Sequence, residues 1–155
     1  MKIIFLDIDG VLNTRFSKDR CCGCLGIENS KVKLLKRIVD NTSAKIVLTS
    51  TWKLDWEKSD NLSPSGQYLV NKFKEEGLEI FDKTEEVCID FRGTGILDWI
   101  HSHNVEAFVI LDDESFDFND LGLSEHFVKT SFYKEDGGLQ EEHVKSAIKI
   151  LNEVM

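Results

Sequence analysis

The feature that most constrains the fold is a set of three short apolar runs, each followed at once by polar residues. The runs are Ile3 to Leu6, Ile46 to Leu48 and Ala107 to Leu111. They are rich in β-branched residues and do not alternate between apolar and polar positions. That pattern is typical of strands buried on both faces of a parallel sheet.

Helical periodicity fills the intervals between these strands. The four predicted helices are one capped by Asn29 or Ser30, one from Pro64 to about Gly77, one that starts after Gly95, and one with apolar residues between Val144 and Val154. Two shorter strands are predicted at Leu78 to Phe81 and at Phe127 to Thr130. Strands that alternate with helices predict an α/β fold, a doubly wound Rossmann-like parallel sheet with helices on both faces.

Length and composition favour one folded unit. The 155 residues, 41% of them hydrophobic and only one of them proline, fit a single domain over residues 1–155. The net charge of −9 argues against general electrostatic attraction to nucleic acid or anionic membranes. No apolar run approaches the roughly 20 residues that span a bilayer, and the N-terminus lacks a signal-peptide core. We therefore expect a soluble, cytoplasmic protein without a membrane partner.

Polar side chains follow the three strands where each one ends. They are Asp7, then Thr49 and Ser50, then Asp112 and Asp113. In open α/β sheets ligands bind beyond the carboxyl ends of the strands, so these groups are expected to meet at one edge. The result would be an acidic site that can hold a metal ion.

The segment around Asp7 carries the most specific signal. Asp7 and Asp9 stand two residues apart, so they point the same way from an extended strand, and Gly10 lets the backbone turn away. Two carboxylates in one pocket bind a hard cation, divide nucleophile and acid–base roles, or do both.

The four cysteines fit no familiar metal pattern. Cys21, Cys22 and Cys24 stand close together, whereas Cys88 is distant. Structural zinc usually needs two pairs of ligands, and the second pair is absent here. We interpret the three neighbouring cysteines as reduced thiols in a loop, with zinc binding and a redox role as weaker alternatives.

Together these motifs resemble the four motifs of the haloacid dehalogenase (HAD) superfamily. The matching segments are Asp7 to Asn13, Ile46 to Ser50, Arg92-Gly93 at the start of a helix, and Leu111 to Asp113. Three further features, Trp52, Trp99 and the pair Gly138-Leu139, resemble those of the small HAD domains in Swiss army knife RNA-repair proteins.

The resemblance implies a phosphoric monoester hydrolase. Asp7 would be the nucleophile, and Asp9 the general acid and base. Mg²⁺ would be held by Asp7, the backbone carbonyl of Asp9, and the pair Asp112 and Asp113, with Asp113 as the direct ligand. Thr49 or Ser50 would bind the substrate phosphate together with Arg92. Lys83 is an alternative to Arg92, because the family often uses lysine there.

The interval from Arg15 to Glu28 is too short for a sizeable cap domain. By analogy, an open site favours a large phosphorylated substrate, either a polynucleotide end or a phosphoprotein, and it also admits nucleotides and other small phosphate esters. No obligate protein partner is evident. The three tryptophans could stack bases, but packing is the favoured interpretation for each.

Two other classes of function fit parts of this pattern. One is a signalling receiver that carries an aspartyl-phosphate, which the order of the motifs argues against because receivers place the paired acids at the first strand. The other is a non-catalytic binding module, which would have no need of the second carboxylate at Asp9.

Overall fold

The computed structural model describes residues 1–153 and contains one five-stranded sheet and one small hairpin. The strands are β1 (Lys2–Leu6), β2 (Arg20–Cys21), β3 (Cys24–Leu25), β4 (Lys45–Leu48), β5 (Ile80–Lys83), β6 (Ala107–Asp112) and β7 (Phe127–Lys129). The α-helices are α1 (Asn29–Thr42), α2 (Pro64–Glu75), α3 (Arg92–His101) and α4 (Glu141–Asn152). Short 3₁₀ helices cover Thr51–Asp55, Ile89–Phe91 and Ser124–His126. No helix in the described range is long and apolar enough to cross a bilayer.

The main sheet is parallel throughout and is covered on both faces. Its order is β5-β4-β1-β6-β7, and every neighbouring pair of strands is parallel. Alternate residues of β1 enter different cores: Ile4 and Leu6 pack with α1, α2 and α4, whereas Ile3 and Phe5 pack with α3. The predicted doubly wound α/β fold is confirmed, and burial on both faces explains why the strands do not alternate.

The register of the central strand aligns the three predicted site segments. Leu6 pairs with Leu48 on one side and with Leu111 on the other. The amide of Asp7 then donates to the carbonyl of Leu111 at 3.0 Å, and the amide of Thr49 donates to Leu6 at 3.0 Å. The polar residues after β1, β4 and β6 therefore leave the sheet side by side.

Helix α3 begins at Arg92, as the motif resemblance implied, and not after Gly95, as the apolar periodicity predicted. Its N-cap residue, Phe91, offers no side-chain hydrogen bond. The amides at the start of the helix instead bond to a residue that is distant in the sequence: Asp117 accepts from Gly93 N at 2.7 Å and from Thr94 N at 3.2 Å. Since this cap comes from the loop after β6, the local sequence carries no capping signal there.

Two strand predictions were displaced at their ends. β5 starts at Ile80 and not at Leu78, because Leu78 still closes the end of α2 by donating to the carbonyl of Phe73 at 2.9 Å. Strand β7 ends at Lys129, one residue before the predicted Thr130.

The ends of α1 and α4 also differ from the sequence-based expectation. Helix α1 is preceded by Glu28, whose side chain makes no capping bond, so neither Asn29 nor Ser30 is the cap. The predicted last apolar position of α4, Val154, lies outside the described residues.

The cysteine segment forms an antiparallel hairpin of β2 and β3, and not the predicted loop. Cys21 is buried, whereas Cys22, Cys24 and Cys88 are exposed, and all four are free thiols. Within the described residues this hairpin is the only regular structure between β1 and α1, so the expectation that a sizeable cap is lacking agrees with the structure.

Candidate active site

Three carboxylates gather at the carboxyl edge of the sheet. Asp7 follows β1, Asp112 is the last residue of β6, and Asp113 follows it. One oxygen from each lies within 4.8 Å of the others. Asp7 and Asp112 are buried, and Asp113 is partly buried. Like charges at such distances repel strongly where water is excluded, so the cluster needs a counter-charge.

Arg92 supplies part of that counter-charge from the start of α3. Its Nη1 lies 2.7 Å from Asp112 Oδ2 and 3.3 Å from Asp7 Oδ1. The other oxygen of Asp112 accepts from the amide of Glu114 at 3.1 Å. Both oxygens of Asp112 are therefore engaged within the protein, while Asp113 also lines an open cavity of about 570 Å³.

The electrostatics of the cluster show that one arginine does not neutralise it. Burial raises the pKa of Asp7 well above its usual range, and the neighbouring Asp112 raises it further, against the opposing effect of Arg92. Burial and the contact with Asp112 raise the pKa of Asp113 to about 6. Both shifts show that the clustered carboxylates disfavour a further negative charge.

The donor set therefore fits a hard divalent cation. Carboxylate oxygens that converge within a few ångströms are the ligands that Mg²⁺ prefers, and a divalent charge would reverse the repulsion that raises these pKa values. Asp7 and Asp113 have the least engaged oxygens and would hold such an ion, with Asp112 behind them.

The two hydroxyl residues after β4 differ in their surroundings. Ser50 caps the first 3₁₀ helix, since its Oγ accepts from the amide of Trp52 at 3.2 Å. Thr49 is 1% exposed, and its Oγ1 has no hydrogen-bond partner among the described residues. A buried hydroxyl without a partner costs free energy unless a ligand satisfies it. Of the two, Thr49 has the vacant hydrogen-bonding capacity.

Asp9 is held apart from the three clustered carboxylates. Asn13 Nδ2 donates to Asp9 Oδ1 at 2.8 Å, and Trp52 Nε1 donates to Asp9 Oδ2 at 3.3 Å. Asn13 also accepts from Gly10 N at 3.0 Å and donates to Gly26 O at 2.8 Å, so it fixes the turn after β1. The orientation of Asp9 is thus set by two side chains for which the sequence predicted no such role.

The sequence gives a signal for the role of Asn13 but none for the role of Trp52. Asn13 is a polar residue that directly follows the apolar pair Val11 and Leu12, and all three residues are buried. A buried amide needs hydrogen-bond partners, and in a turn the nearest ones are backbone groups. Trp52 offers no such signal, because its contact with Asp9 depends on how the 3₁₀ helix turns. The favoured packing interpretation of Trp52 is therefore incomplete: it packs on Tyr68 and also binds Asp9.

Lys83, the alternative basic residue, faces away from the carboxylates. Its Nζ donates to the carbonyls of Lys53 at 3.1 Å and Trp56 at 2.9 Å, which close the end of the first 3₁₀ helix. Arg92 is the basic residue in contact with Asp7. Lys53, which the sequence analysis did not select, is buried in an ion pair with Glu86 at 2.7 Å.

The sequence is similar to a family of known proteins. A family model described as "HAD domain in Swiss Army Knife RNA repair proteins" matches residues 3–144, nearly the whole described chain. A search of curated proteins and a search of solved structures each found no match. The matched range includes every residue of the site described above.

Proposed function

The chain belongs to the family of HAD domains in Swiss Army Knife RNA repair proteins, and from that premise we propose that it is a Mg²⁺-dependent phosphomonoesterase. The reaction passes through an aspartyl-phosphate on Asp7. The membership supports a phosphatase-type function, and the geometry of the site supports this assignment of roles.

The buried hydroxyl of Thr49 is the observation that carries the proposal. It lies beside Asp7 in the register of the sheet and lacks a hydrogen-bond partner within residues 1–153. Arg92 Nε is likewise buried and without a partner in that range. Two vacant donors beside a carboxylate nucleophile are what a phosphoryl group with its negative oxygens requires.

The chemistry divides into two displacements. In the first, an oxygen of Asp7 attacks phosphorus, the bond from phosphorus to the substrate oxygen breaks, and Asp9 gives its proton to that oxygen. In the second, water attacks the same phosphorus and loses a proton to Asp9, while the bond to Asp7 breaks. Inorganic phosphate leaves, and both carboxyl groups return to their first states.

Mg²⁺ would be held by the carboxylates of Asp7 and Asp113, and the family resemblance adds the backbone carbonyl of Asp9. When bound it supplies positive charge against the phosphoryl oxygens and the clustered carboxylates. Arg92 also offsets negative charge in the site, because its guanidinium pairs with Asp112 and Asp7.

We propose the phosphorylated end of a polynucleotide as the substrate. Its support is the family's description and an exposed surface beside the cavity that Asp113 lines. Tyr133, 66% exposed, lines that cavity, and the Arg15 guanidinium lies 5.9 Å from its ring and 5.3 Å from the ring of Phe16. Exposed aromatic rings next to a cation bind single-stranded nucleic acid by stacking and charge.

The test is phosphate release with Mg²⁺ from a panel of esters. The panel contains p-nitrophenyl phosphate, mononucleotides, 3′- and 5′-phosphorylated oligoribonucleotides and a phosphopeptide, and Asp7→Asn is the control. We expect release from the oligonucleotides that Asp7→Asn abolishes.

Two other results would each contradict part of the proposal. Faster release from the phosphopeptide than from every oligonucleotide would overturn the substrate class. Labelling by acetyl phosphate without turnover of any ester would favour a signalling acceptor and overturn the enzymatic function.

A further inference from the structure

A cavity of about 480 Å³ opens beside Asp9, between the β2–β3 hairpin and the first 3₁₀ helix. The hairpin contributes Cys22, Cys24 and Leu25, and the other wall contains Trp52 and Asp55. Its volume lies within the roughly 300–1,000 Å³ of small-ligand sites. None of the functional roles assigned so far uses this space.

The position of the cavity links it to one part of the substrate. In the proposed reaction the proton of Asp9 goes to the oxygen that leaves phosphorus. The group attached to that oxygen must therefore lie on the Asp9 side of the phosphoryl group, because a general acid acts within hydrogen-bond reach of the atom it protonates. Since Asp9 itself lines the cavity, the leaving group lies at its mouth.

The residues that line the cavity indicate which kind of leaving group it can bind. Among residues 1–153, no lysine or arginine lines this cavity, while Asp9 and Asp55 do. A phosphate placed inside this cavity would be repelled, so the phosphodiester backbone of a polynucleotide has to lie outside it. A nucleoside with hydroxyl or amino donors would find acceptors there at Asp55, Thr51 and Ser65. The side chains of Leu25 and Trp52 add apolar surface for a planar ring.

Trp52 connects this wall to the chemistry. Its ring is held against Tyr68, with centroids 6.3 Å apart, and the Tyr68 hydroxyl accepts from the amide of Ile27 just beyond the hairpin. The indole N–H donates to Asp9. A group that packs on the Trp52 ring is thus adjacent to the residue that orients the general acid.

We propose that this cavity binds the nucleoside that carries the phosphate to be removed, with its base against Trp52 and its polar groups toward Asp55. The proposal rests on the proposed phosphatase function and adds to it the part of the substrate that decides specificity. The enzyme should therefore distinguish a terminal nucleotide from a small alkyl phosphate.

The first test compares two substrates in each variant. Values of kcat/KM are measured for a nucleoside monophosphate and for glycerol 2-phosphate, which has no ring. Cys24→Trp fills the cavity and Leu25→Ala removes apolar surface, and both positions lie on the hairpin. Because the tryptophan would displace the base from its stacking position, we expect the nucleotide-to-glycerol-phosphate ratio to fall roughly tenfold or more in Cys24→Trp.

Because both substrates are measured with the same preparation of each variant, the ratio of the two kcat/KM values does not depend on how much of the enzyme is folded. Leu54→Ala is the matched control for Leu25→Ala, because Leu54 is 78% exposed on the neighbouring 3₁₀ helix and does not line this cavity. Its ratio should equal that of the parent protein.

The second test needs no turnover. N-ethylmaleimide labels the exposed cysteines, and the rates at Cys22 and Cys24 are compared with the rate at Cys88, which lies outside the cavity. Adenosine or uridine at millimolar concentration should slow labelling of Cys22 and Cys24 and leave Cys88 unchanged.

The outcomes separate this proposal from the one on which it rests. Unchanged substrate ratios in both hairpin variants, equal protection of all three cysteines, or a preference for the phosphopeptide over nucleotides would overturn the nucleoside site while the phosphatase stands. A parent protein that releases phosphate from no ester would overturn the phosphatase, and the nucleoside site would fall with it.

Discussion

Gly10 and Asp113 approach each other so closely that no side chain fits between them. A Cβ on Gly10 would lie 2.4 Å from Asp113 Cγ, and Gly10 also has a φ of +91°. Gly10, which follows Asp7 and Asp9, therefore also determines where Asp113 can lie. It turns the chain after β1 and leaves room for the carboxylate of Asp113 beside Asp7.

Gly10→Ala should weaken Mg²⁺ binding by displacing Asp113. Gly122→Ala is the matched control, because Gly122 has a φ of +71° but nothing within 4 Å of an added Cβ. Both variants bear the cost of a left-handed alanine, about 1–2 kcal/mol. Only Gly10→Ala should also lose metal affinity, about tenfold or more by calorimetric titration. Equal Mg²⁺ affinity in the two variants would contradict this role for Gly10.

Asp7→Asn should abolish phosphate release and yet stabilise the metal-free protein. Because burial and Asp112 raise the pKa of Asp7, its ionised form costs folding free energy, and a neutral amide of the same shape removes that cost. We expect a higher Tm in EDTA at pH 7.5, roughly 2–4 °C for each ~1 kcal/mol. Asp40→Asn, at an exposed aspartate paired with Lys36, should leave the Tm nearly unchanged. A lower Tm for Asp7→Asn would show that the carboxylate is stabilising.

Asp113 should make the metal-free protein less stable as pH rises from about 4 to about 6. Its pKa is raised from 3.8 to about 6, so between these values the folded state holds a proton that the unfolded state has lost. The folded state binds more protons in that window, and the free energy of unfolding therefore falls with increasing pH.

The measurement is urea denaturation in EDTA at several pH values, for the parent and for Asp113→Asn. The stability of the variant relative to the parent should increase from pH 4 to pH 6 and then level off. In parallel, Mg²⁺ affinity of the parent should drop below pH 6, where protons compete for the same oxygens. A pH-independent difference between the two proteins would contradict the assignment.

Trp52→Phe should slow the enzyme only where the leaving oxygen needs a proton. The variant keeps an aromatic ring and loses the N–H that donates to Asp9. We expect kcat to fall about tenfold for an alkyl phosphate and much less for p-nitrophenyl phosphate, whose leaving group departs without protonation. Trp99→Phe removes a comparable bond, to Asp82 at 2.9 Å, and should affect both substrates equally. Equal losses in Trp52→Phe would show that Trp52 does not act through Asp9.

Thr49→Val and Ser50→Ala should separate phosphate binding from stability. Thr49 Oγ1 has no partner in the described chain, so valine should leave the free energy of unfolding unchanged or higher, while the KM for phosphate esters rises about tenfold. Ser50→Ala removes the cap on Trp52 N and should cost about 1 kcal/mol of stability with little change in KM. The reverse pattern would make Ser50 the residue that binds phosphate.

The strands and their polar ends were predictable because each signal is local. Apolar runs without alternation identify buried strands, and the parallel register then aligns Asp7, Thr49 and Asp112 without further information. Apolar periodicity alone placed the start of α3 too late, because Asp117 caps the helix from the far side of β6, whereas the motif Arg92-Gly93 located it. In the same way, nothing near Trp52 in the sequence indicates that its indole N–H reaches Asp9, 43 residues away.

The central position of β1 has a consequence for the order in which the molecule forms. The first strand pairs with β6, where Lys2 faces Ala107, and also with β4. Contacts between such distant segments form slowly, because a long loop has to close before they contribute. During synthesis Asp7 emerges before its neighbour Asp112, which follows about a hundred residues later. The carboxylates can therefore meet only once β6 has been made, and a chain that stops before β6 would leave one edge of the apolar strand β1 unpaired.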